Sequence, residues 1–217
     1  MQEMAGLDGI FAESGRLYTL SSDPGKRVYG ERLVSEGGAE YREWNPFRSK
    51  MAAYVANGGR DVPVGKGSTV LYLGASSGTT PSHVSDIVRD GRVICIEFAQ
   101  RMFVQLVRNC ESRPNMMPVL ADATRPAEYA FAAESVDVVY QDVAQKNQAD
   151  ILADNMEFYG AEHGMVAIKA RSEDVTQDPA RIFAGVAARL EGRGLEIVDR
   201  RSLEPFEKAH MMFVVRR

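Results

Sequence analysis

The chain has 217 residues, of which 45% are hydrophobic and 26% are charged, a composition typical of a globular protein and unlike that of disordered or fibrous chains. No apolar run approaches the roughly 18 residues of a membrane span, and the amino terminus lacks the pattern of a secretory signal, so we expect a cytoplasmic protein. The formal net charge is −4. Taken alone, this charge argues against a free-standing nucleic-acid-binding protein, which usually carries a basic excess.

The charge is unevenly distributed along the chain, because residues 116–160 sum to −6 whereas residues 46–70 sum to +3. The two cysteines, Cys95 and Cys110, are too few for a disulfide framework or a zinc cluster, and their apolar surroundings predict buried thiols. The three histidines have no ligand-like spacing. We therefore expect no metal site.

Short apolar segments separated by turn clusters such as DPG and EGG occupy residues 1–45 and predict a small antiparallel sheet. This region is too short to bury a core of its own, so we expect it to pack on the rest of the chain. The pattern changes at Pro46, where a helical segment begins. We therefore divide the chain into a small β-rich domain, 1–45, and a larger domain, 46–217.

The larger domain alternates strands with helices, and its strand segments are short, apolar and rich in β-branched residues, as expected for strands covered on both faces. The seven predicted strands cover residues 68–74, 91–98, 117–122, 136–143, 163–171, 195–205 and 210–217. No helix separates the last two, which predicts a hairpin. The fold class is therefore α/β, with a doubly wound, mostly parallel seven-stranded sheet that contains one antiparallel strand.

In an open parallel sheet the ligand lies beyond the carboxyl ends of the strands, so we expect the functional residues at these ends. The first strand is followed by GASSGTTP, residues 74–81, in which Gly74 and Gly78 allow a ligand to approach the backbone. Thr80 followed by Pro81 resembles a helix N-cap and first helical residue. The segment is neither G-x-G-x-x-G nor a P-loop, and a tight turn that binds no ligand is the alternative.

The next three strands each end near a carboxylate, namely Glu97, Asp122 and Asp142. Glu97 follows Gly74 by 23 residues, close to the spacing at which Rossmann-like folds place an acid on ribose hydroxyls. Lys169 ends the fifth strand, and we expect Asp142 to hold and orient its ammonium group. Taken singly, Lys50 is ordinarily an exposed helical residue and His210 a hydrogen-bonded residue at a strand end.

The segments WNPFRSK, YLGASSGTTPSHVSDIV, YQDVAQKNQADIL, AIKARSEDVTQDP and EPFEKAHMMFV resemble those of the fibrillarins of archaea, which are 2′-O-methyltransferases of box C/D ribonucleoproteins. The resemblance implies the sheet of S-adenosyl-L-methionine-dependent methyltransferases with a small β-rich amino-terminal domain. It also implies a set of residues that contact S-adenosylmethionine: Thr79, Thr80, Glu97, Phe98, Asp122, Ala123, Asp142, Val143, Ala144 and Gln145. The acid that commonly precedes the glycine loop in methyltransferases is replaced by Tyr72, as in the fibrillarin group.

The resemblance further implies a catalytic set made of Lys50, Asp142, Lys169 and His210, which matches the Lys-Asp-Lys-His pattern of ribose 2′-O-methyltransferases. In this interpretation Lys169 contacts the 2′-oxygen and either stabilises the developing alkoxide or, when neutral, acts as a base. Lys50 and a protonated His210 would favour the neutral form of Lys169, whereas Asp142 would oppose it. We therefore prefer the electrostatic role.

Partners are also implied by the resemblance: a box C/D guide RNA, an rRNA or tRNA substrate, a scaffold protein that binds fibrillarin, and a kink-turn-binding subunit. No membrane partner is expected. Three other interpretations remain open at this point. They are a nicotinamide dehydrogenase, which usually carries the G-x-G-x-x-G motif that is absent here, a structural subunit with no activity, and methylation of another substrate such as a protein side chain.

Overall fold

A computed structural model describes residues 1–217, which form two sheets and the helices packed on them. The strands of the small sheet are β1 (Gln2–Glu3), β2 (Ile10–Glu13), β3 (Arg16–Leu20), β4 (Leu33–Glu36) and β5 (Ala39–Glu43). Those of the large sheet are β6 (Thr69–Leu73), β7 (Arg92–Glu97), β8 (Met116–Leu120), β9 (Val138–Gln141), β10 (His163–Lys169), β11 (Glu196–Ser202) and β12 (His210–Arg216).

The α-helices are α1 (Lys50–Ala56), α2 (Thr79–Ile87), α3 (Gln100–Cys110), α4 (Gln148–Tyr159), α5 (Ala170–Glu173) and α6 (Pro179–Gly192). A 3₁₀ segment spans Pro126–Ala132. The sequence pattern did not predict this segment or α5, because α5 has only four residues and a 3₁₀ segment does not follow the α-helical period. None of the helices is long and apolar enough to cross a membrane.

The strand order of the large sheet is β11-β12-β10-β9-β6-β7-β8. Only β12 is antiparallel to its neighbours, which confirms the predicted mostly parallel sheet with one antiparallel strand. The chain leaves β6 toward β7 on one side and returns to β9 on the other. A topological switch point therefore lies at the carboxyl end of β6, where a doubly wound sheet binds its ligand.

The sheet is covered on both faces, and alternate side chains of each strand enter two separate apolar clusters. Along β6, Val70 and Tyr72 join the cluster formed with α1, α2 and α3, whereas Leu71 and Leu73 join that formed with α4 and α6. This alternation follows from the period of two along a strand. Cys95 and Cys110 are both buried free thiols, as predicted.

The small sheet packs on α2 and shares the first of these clusters with the larger domain through Leu7, Ile10, Leu17 and Trp44. A core shared in this way fits the expectation that residues 1–45 pack on the rest of the chain. The division at residue 45 stays a prediction. The small sheet has five strands, whereas the sequence shows only three apolar segments in this region. The other two strands were not predicted because β1 is only two residues long and β5 has the polar sequence AEYRE.

A buried ionic network joins the small sheet to α2. Asp86 accepts hydrogen bonds from Arg42 at 2.7 Å and Arg113 at 2.8 Å, and Arg42 also pairs with Glu31. Burial alone would raise the pKa of the Asp86 carboxyl, but the two guanidinium groups outweigh it and lower this pKa to about 2. The pKa of neighbouring His83 lies well below its usual value because of its burial, so its ring is neutral.

Candidate active site

The carboxyl edge of the large sheet gathers most of the predicted site residues. Glu97 is the last residue of β7, Asp142 directly follows β9, and Lys169 is the last residue of β10. His210 begins β12, and because this strand is antiparallel, its first residue lies directly opposite Lys169. Four strands therefore deliver four polar side chains to one edge, hereafter called the rim.

A cavity of about 310 Å³ opens at the rim beside the switch point. Its size falls within the range of small-molecule and cofactor sites, about 300–1,000 Å³. Seven predicted cofactor contacts line it: Glu97, Phe98, Ala123, Asp142, Val143, Ala144 and Gln145. Five further lining residues were not among the predicted contacts: Gly74, Ser76, Ile96, Ala99 and Ala121. Each of the five lies within two residues of a predicted contact or in the glycine loop, and contributes mainly backbone or apolar surface, which leaves no chemical signature in the sequence.

The Glu97 carboxylate is fixed in place by the backbone. Oε2 accepts a hydrogen bond from Ser76 N–H at 2.6 Å, and Oε1 accepts one from Ala99 N–H at 2.7 Å. Each oxygen keeps a further lone pair for a ligand. The carboxylate is thus oriented in advance as a double acceptor, which suits a vicinal diol.

Asp122 lies beside the cavity and reaches it through Gln145, whose Nε2 donates to Oδ1 of Asp122 at 3.4 Å. Burial tends to raise the pKa of the Asp122 carboxyl, but hydrogen bonds from the backbone and side chain of Thr124 outweigh it and lower this pKa. The group is therefore an ionised acceptor at neutral pH.

Thr79 and Thr80 do not line the cavity, and the prediction that Thr80 caps α2 is wrong. The helix begins at Thr79, and its N-cap is Gly78, which has φ +93° and no capping side chain. Thr80 is buried, and its hydroxyl donates to Ser49 Oγ at 3.0 Å. Since Ser49 is the N-cap of α1, this contact ties α2 to the helix that carries Lys50.

Gly74 is required because the ends of β6 and β9 lie too close together for a side chain at this position. Its φ is +80°, and a Cβ placed there would lie 2.5 Å from the carbonyl oxygen of Asp142. Such a distance is far inside van der Waals contact, so any side chain must displace the Asp142 backbone, which also lines the cavity.

Gly74→Ala is therefore expected to weaken S-adenosylmethionine binding at least tenfold and to destabilise the fold by about 1–3 kcal/mol. Calorimetric titration and urea denaturation measure the two effects. Gly67→Ala is the matched control, because its Cβ would meet no atom within 4 Å and its φ is not positive. Equal affinities in the two variants would contradict this account of Gly74.

Asp142 pairs with Lys50 and not with Lys169, which corrects the prediction. Lys50 Nζ donates to Asp142 Oδ2 at 2.8 Å, and both side chains are largely buried. Lys169 forms no ion pair within 4.0 Å. Because Lys50 comes from α1, far from Asp142 in sequence, only the tertiary fold reveals this pairing. It also places Lys50, which its position in the sequence assigned to an exposed helix face, on the rim.

His210 is neutral in this environment, contrary to the protonated form considered from the sequence. Burial lowers its pKa, and the charges of Lys50 and Lys169 lower it further, against the opposing effects of Lys208 O and Glu207. Nδ1 lies 2.7 Å from Lys208 O and must donate to it, so the proton of the neutral ring is on Nδ1. Nε2 is consequently a buried acceptor that has no partner within the chain.

The fold is that of the S-adenosylmethionine-dependent methyltransferases. The fibrillarin family model matches residues 2–217, and the chain belongs to the fibrillarin family. A relative from Methanothermobacter thermautotrophicus, a fibrillarin-like rRNA/tRNA 2′-O-methyltransferase, is 48% identical over 219 residues, which span 100% of this chain and 98% of the relative.

Three solved structures agree with this assignment. Methanococcus jannaschii fibrillarin, a pre-rRNA processing protein, superimposes with a TM-score of 0.94 at 47% identity, covering 99% of this chain and 96% of that one. Aeropyrum pernix fibrillarin with natively bound S-adenosyl-L-methionine gives 0.85 at 44% identity, with 92% and 88% covered. A fibrillarin/Nop5p complex gives 0.90 at 38% identity, with 100% of both chains covered.

Proposed function

We propose that the protein transfers a methyl group from S-adenosylmethionine to the ribose 2′-hydroxyl of rRNA and tRNA. The observation that carries this proposal is the rim itself, where Lys50, Asp142, Lys169 and His210 meet beside the cavity. Asp142 belongs to both the catalytic set and the cavity lining. The relatives named as rRNA/tRNA 2′-O-methyltransferases support the choice of substrate.

The residues of the cavity fit S-adenosylmethionine. Glu97 offers two oriented acceptors for ribose hydroxyls, Phe98 offers an apolar ring that is 69% exposed, and Asp122 offers an ionised acceptor for the adenine amino group. Gly74 leaves room where a Cβ would collide with the Asp142 backbone. The A. pernix fibrillarin with bound S-adenosyl-L-methionine supports the same assignment.

When bound, the cofactor supplies an electrophilic methyl group on a sulfonium ion. The chain's own part is to position the ribose oxygen for an in-line displacement and to manage its proton. Lys169 has no carboxylate partner, so its ammonium group is free to donate to the 2′-oxygen and stabilise the charge that develops there, while the hydroxyl proton is released to solvent as the O–CH₃ bond forms. The Lys50–Asp142 pair joins α1 to the rim.

Selection of the target nucleotide is proposed to depend on partners. These are a box C/D guide RNA that pairs with the substrate, a scaffold protein, and a kink-turn-binding subunit. A scaffold is supported by the fibrillarin/Nop5p complex, whose fibrillarin chain covers this one completely. The net charge of −4 fits this division of work, because it disfavours tight binding of RNA by the chain alone.

Calorimetric titration with S-adenosylmethionine and with NAD tests the cofactor assignment. We expect saturable binding of S-adenosylmethionine and none of NAD. Loss of binding in Glu97→Gln, where one carboxylate oxygen becomes an amide donor, would link the cofactor to this cavity. Binding of NAD alone would instead favour the dehydrogenase.

His210 is expected to limit methyl transfer at low pH. We assign Nε2, a buried acceptor with no partner, to the 2′-hydroxyl or to the Lys169 ammonium. Protonation removes this acceptor and adds a cation beside Lys50 and Lys169, so the rate is expected to fall as the pH drops below the lowered pKa of His210. The rate measured against pH, in the assembled complex, reports this pKa.

His210→Gln keeps a hydrogen-bond acceptor but cannot be protonated near neutral pH. The variant is expected to retain part of the activity and to lose the acidic limb of the profile. An unchanged acidic limb in His210→Gln would show that another group is responsible. The free energy of unfolding is also expected to fall as the pH drops below 6.5, because the unfolded chain then takes up a proton that the folded His210 does not.

A further inference from the structure

Two phenylalanines form an exposed aromatic pair outside the cavity. The rings of Phe47 and Phe206 lie 5.0 Å apart at an interplanar angle of 78°, which is an edge-to-face contact. Phe206 is partly buried against the core, whereas Phe47 is 62% exposed. One ring therefore anchors the other, and the outer ring presents a free face to solvent.

The pair lies on the rim. Phe206 belongs to the segment 203–209, which joins the carboxyl end of β11 to the first residue of β12, His210. Phe47 precedes Lys50 by three residues, so their Cα atoms are at most about 11 Å apart. Both rings are thus attached to segments that deliver a member of the catalytic set.

Basic side chains flank the pair without being neutralised inside the protein. Arg48 follows Phe47 and lies 5.9 Å from the Tyr29 ring centre, and with Arg32 it lines a polar cavity of about 270 Å³. Two carboxylates line the same cavity, but Glu31 is paired with Arg42 and Glu43 with Arg16. Neither guanidinium group forms an ion pair within 4.0 Å, and Lys208 forms none either. These groups are available for the phosphates of a nucleic acid.

The acidic groups of the same segment are engaged locally. Glu204 accepts a hydrogen bond from Ala209 N–H at 3.3 Å, and Glu207 lies 4.0 Å from His210 Nδ1. A free aromatic face flanked by unpaired cations is the combination that binds unpaired nucleotides, where the ring stacks on a base and the cations contact the backbone.

We propose that Phe47, supported by Phe206, stacks on a nucleobase of the RNA strand that carries the target ribose. Arg48 and Arg32 contact the adjoining phosphates. This inference rests on the proposed function, since it requires an RNA acceptor at the rim. Stacking on Phe47 holds the ribose hydroxyl against Lys169. Phe47 is thus a substrate contact that lies outside both the cofactor cavity and the catalytic set.

The test uses the assembled complex of this chain with scaffold protein, kink-turn subunit, guide RNA and substrate. Loss of one base–aromatic stack is expected to lower kcat/KM for RNA about 5- to 150-fold in Phe47→Ala. Phe47→Tyr, which keeps the aromatic face, is expected to stay within about twofold of the wild type, whereas Phe47→Leu falls with the alanine variant. Affinity for S-adenosylmethionine, measured by calorimetry, should be unchanged in all three.

Phe158 supplies a matched control. It makes the same kind of edge-to-face contact with Tyr159, at 5.0 Å and 70°, and is 46% exposed, but it lies at the carboxyl end of α4, at the edge of the sheet opposite the rim. Phe158→Ala is expected to leave kcat/KM unchanged. The substrate also carries 2-aminopurine next to the target nucleotide, and stacking should quench its fluorescence with wild-type protein but not with Phe47→Leu.

Three outcomes would overturn the inference. The first is an unchanged kcat/KM in Phe47→Ala, and the second is equal activity of the leucine and tyrosine variants. The third is loss of scaffold binding by Phe47→Ala in gel filtration, because this result would show that the ring contacts the scaffold protein. Failure of the proposed function gives a different result, because the wild-type complex would then transfer no methyl group to RNA.

Discussion

Replacing Lys169 with alanine is expected to lower the rate of methyl transfer by about 10²–10³-fold, which is the usual cost of removing one donor from a charge-stabilising site. The reason is that Lys169 is the rim cation without a carboxylate partner, whereas Lys50 is engaged by Asp142 at 2.8 Å. Binding of S-adenosylmethionine is expected to persist, because Lys169 does not line the cavity.

Single-turnover methylation of guide-paired RNA by the assembled complex measures the rate, and calorimetry measures the cofactor affinity. Lys66→Ala is the control, since Lys66 is exposed and pairs only with Asp90 at the opposite edge of the sheet. Wild-type turnover by Lys169→Ala would defeat the assignment of this residue. Loss of S-adenosylmethionine binding by this variant would show that Lys169 contacts the cofactor and not the RNA acceptor.

Replacing Asp86 with asparagine is expected to lower the free energy of unfolding by about 3–5 kcal/mol at pH 7, because it leaves buried guanidinium groups without their counter-ion. Arg42 and Arg113 both lie within 2.8 Å of the Asp86 carboxylate, and all three side chains are almost completely buried. Arg42 keeps Glu31 as a partner, so Arg113 carries most of the uncompensated charge. Urea denaturation measures the loss.

Asp90→Asn is the matched control for this substitution. Asp90 pairs with Lys66 at 2.8 Å, but both side chains are more than 60% exposed, so the expected loss is at most about 1 kcal/mol. Equal losses in the two variants would contradict the account of the network. The wild-type stability should also fall below about pH 4, because the lowered pKa of Asp86 means that the unfolded chain binds protons first.

The sheet and most of the rim could be predicted from the sequence, because parallel strands end at a common edge. Locating Glu97, Asp142 and Lys169 at strand ends was therefore enough to bring them together. The antiparallel strand β12 followed from the absence of a helix before it. Of the residues that line the cavity, Glu97 was predicted from its spacing after Gly74, whereas Gln145 was implied only by the family resemblance.

Pairings between distant segments could not be predicted, because period and spacing describe only local structure. Asp142 pairs with Lys50 of α1 and not with Lys169 of the adjacent strand β10. Thr80 is buried beneath the rim, and Gly78 occupies the cap position that its hydroxyl was expected to fill. Arg42 lies in the polar strand β5, which the apolar segments did not indicate, and is fully buried because Asp86 and Glu31 neutralise it.

The protonation state of His210 is another property that depends on tertiary contacts. Its sequence position indicated only a residue at a strand end. Burial, Lys50 and Lys169 together make it neutral, and Lys208 O selects the tautomer. The role of this residue therefore changes from a cation that lowers the pKa of a neighbour to an acceptor that receives a hydrogen bond.

The most direct test is transfer of a labelled methyl group from S-adenosylmethionine to RNA by the complex of this chain with scaffold protein, kink-turn subunit and guide RNA, followed by mapping of the modified nucleotide. We expect label on one ribose 2′-oxygen, at a position that moves when the guide sequence is changed, and little transfer when guide or scaffold is omitted. Label on a base, on protein only, or on no acceptor would contradict the proposed function.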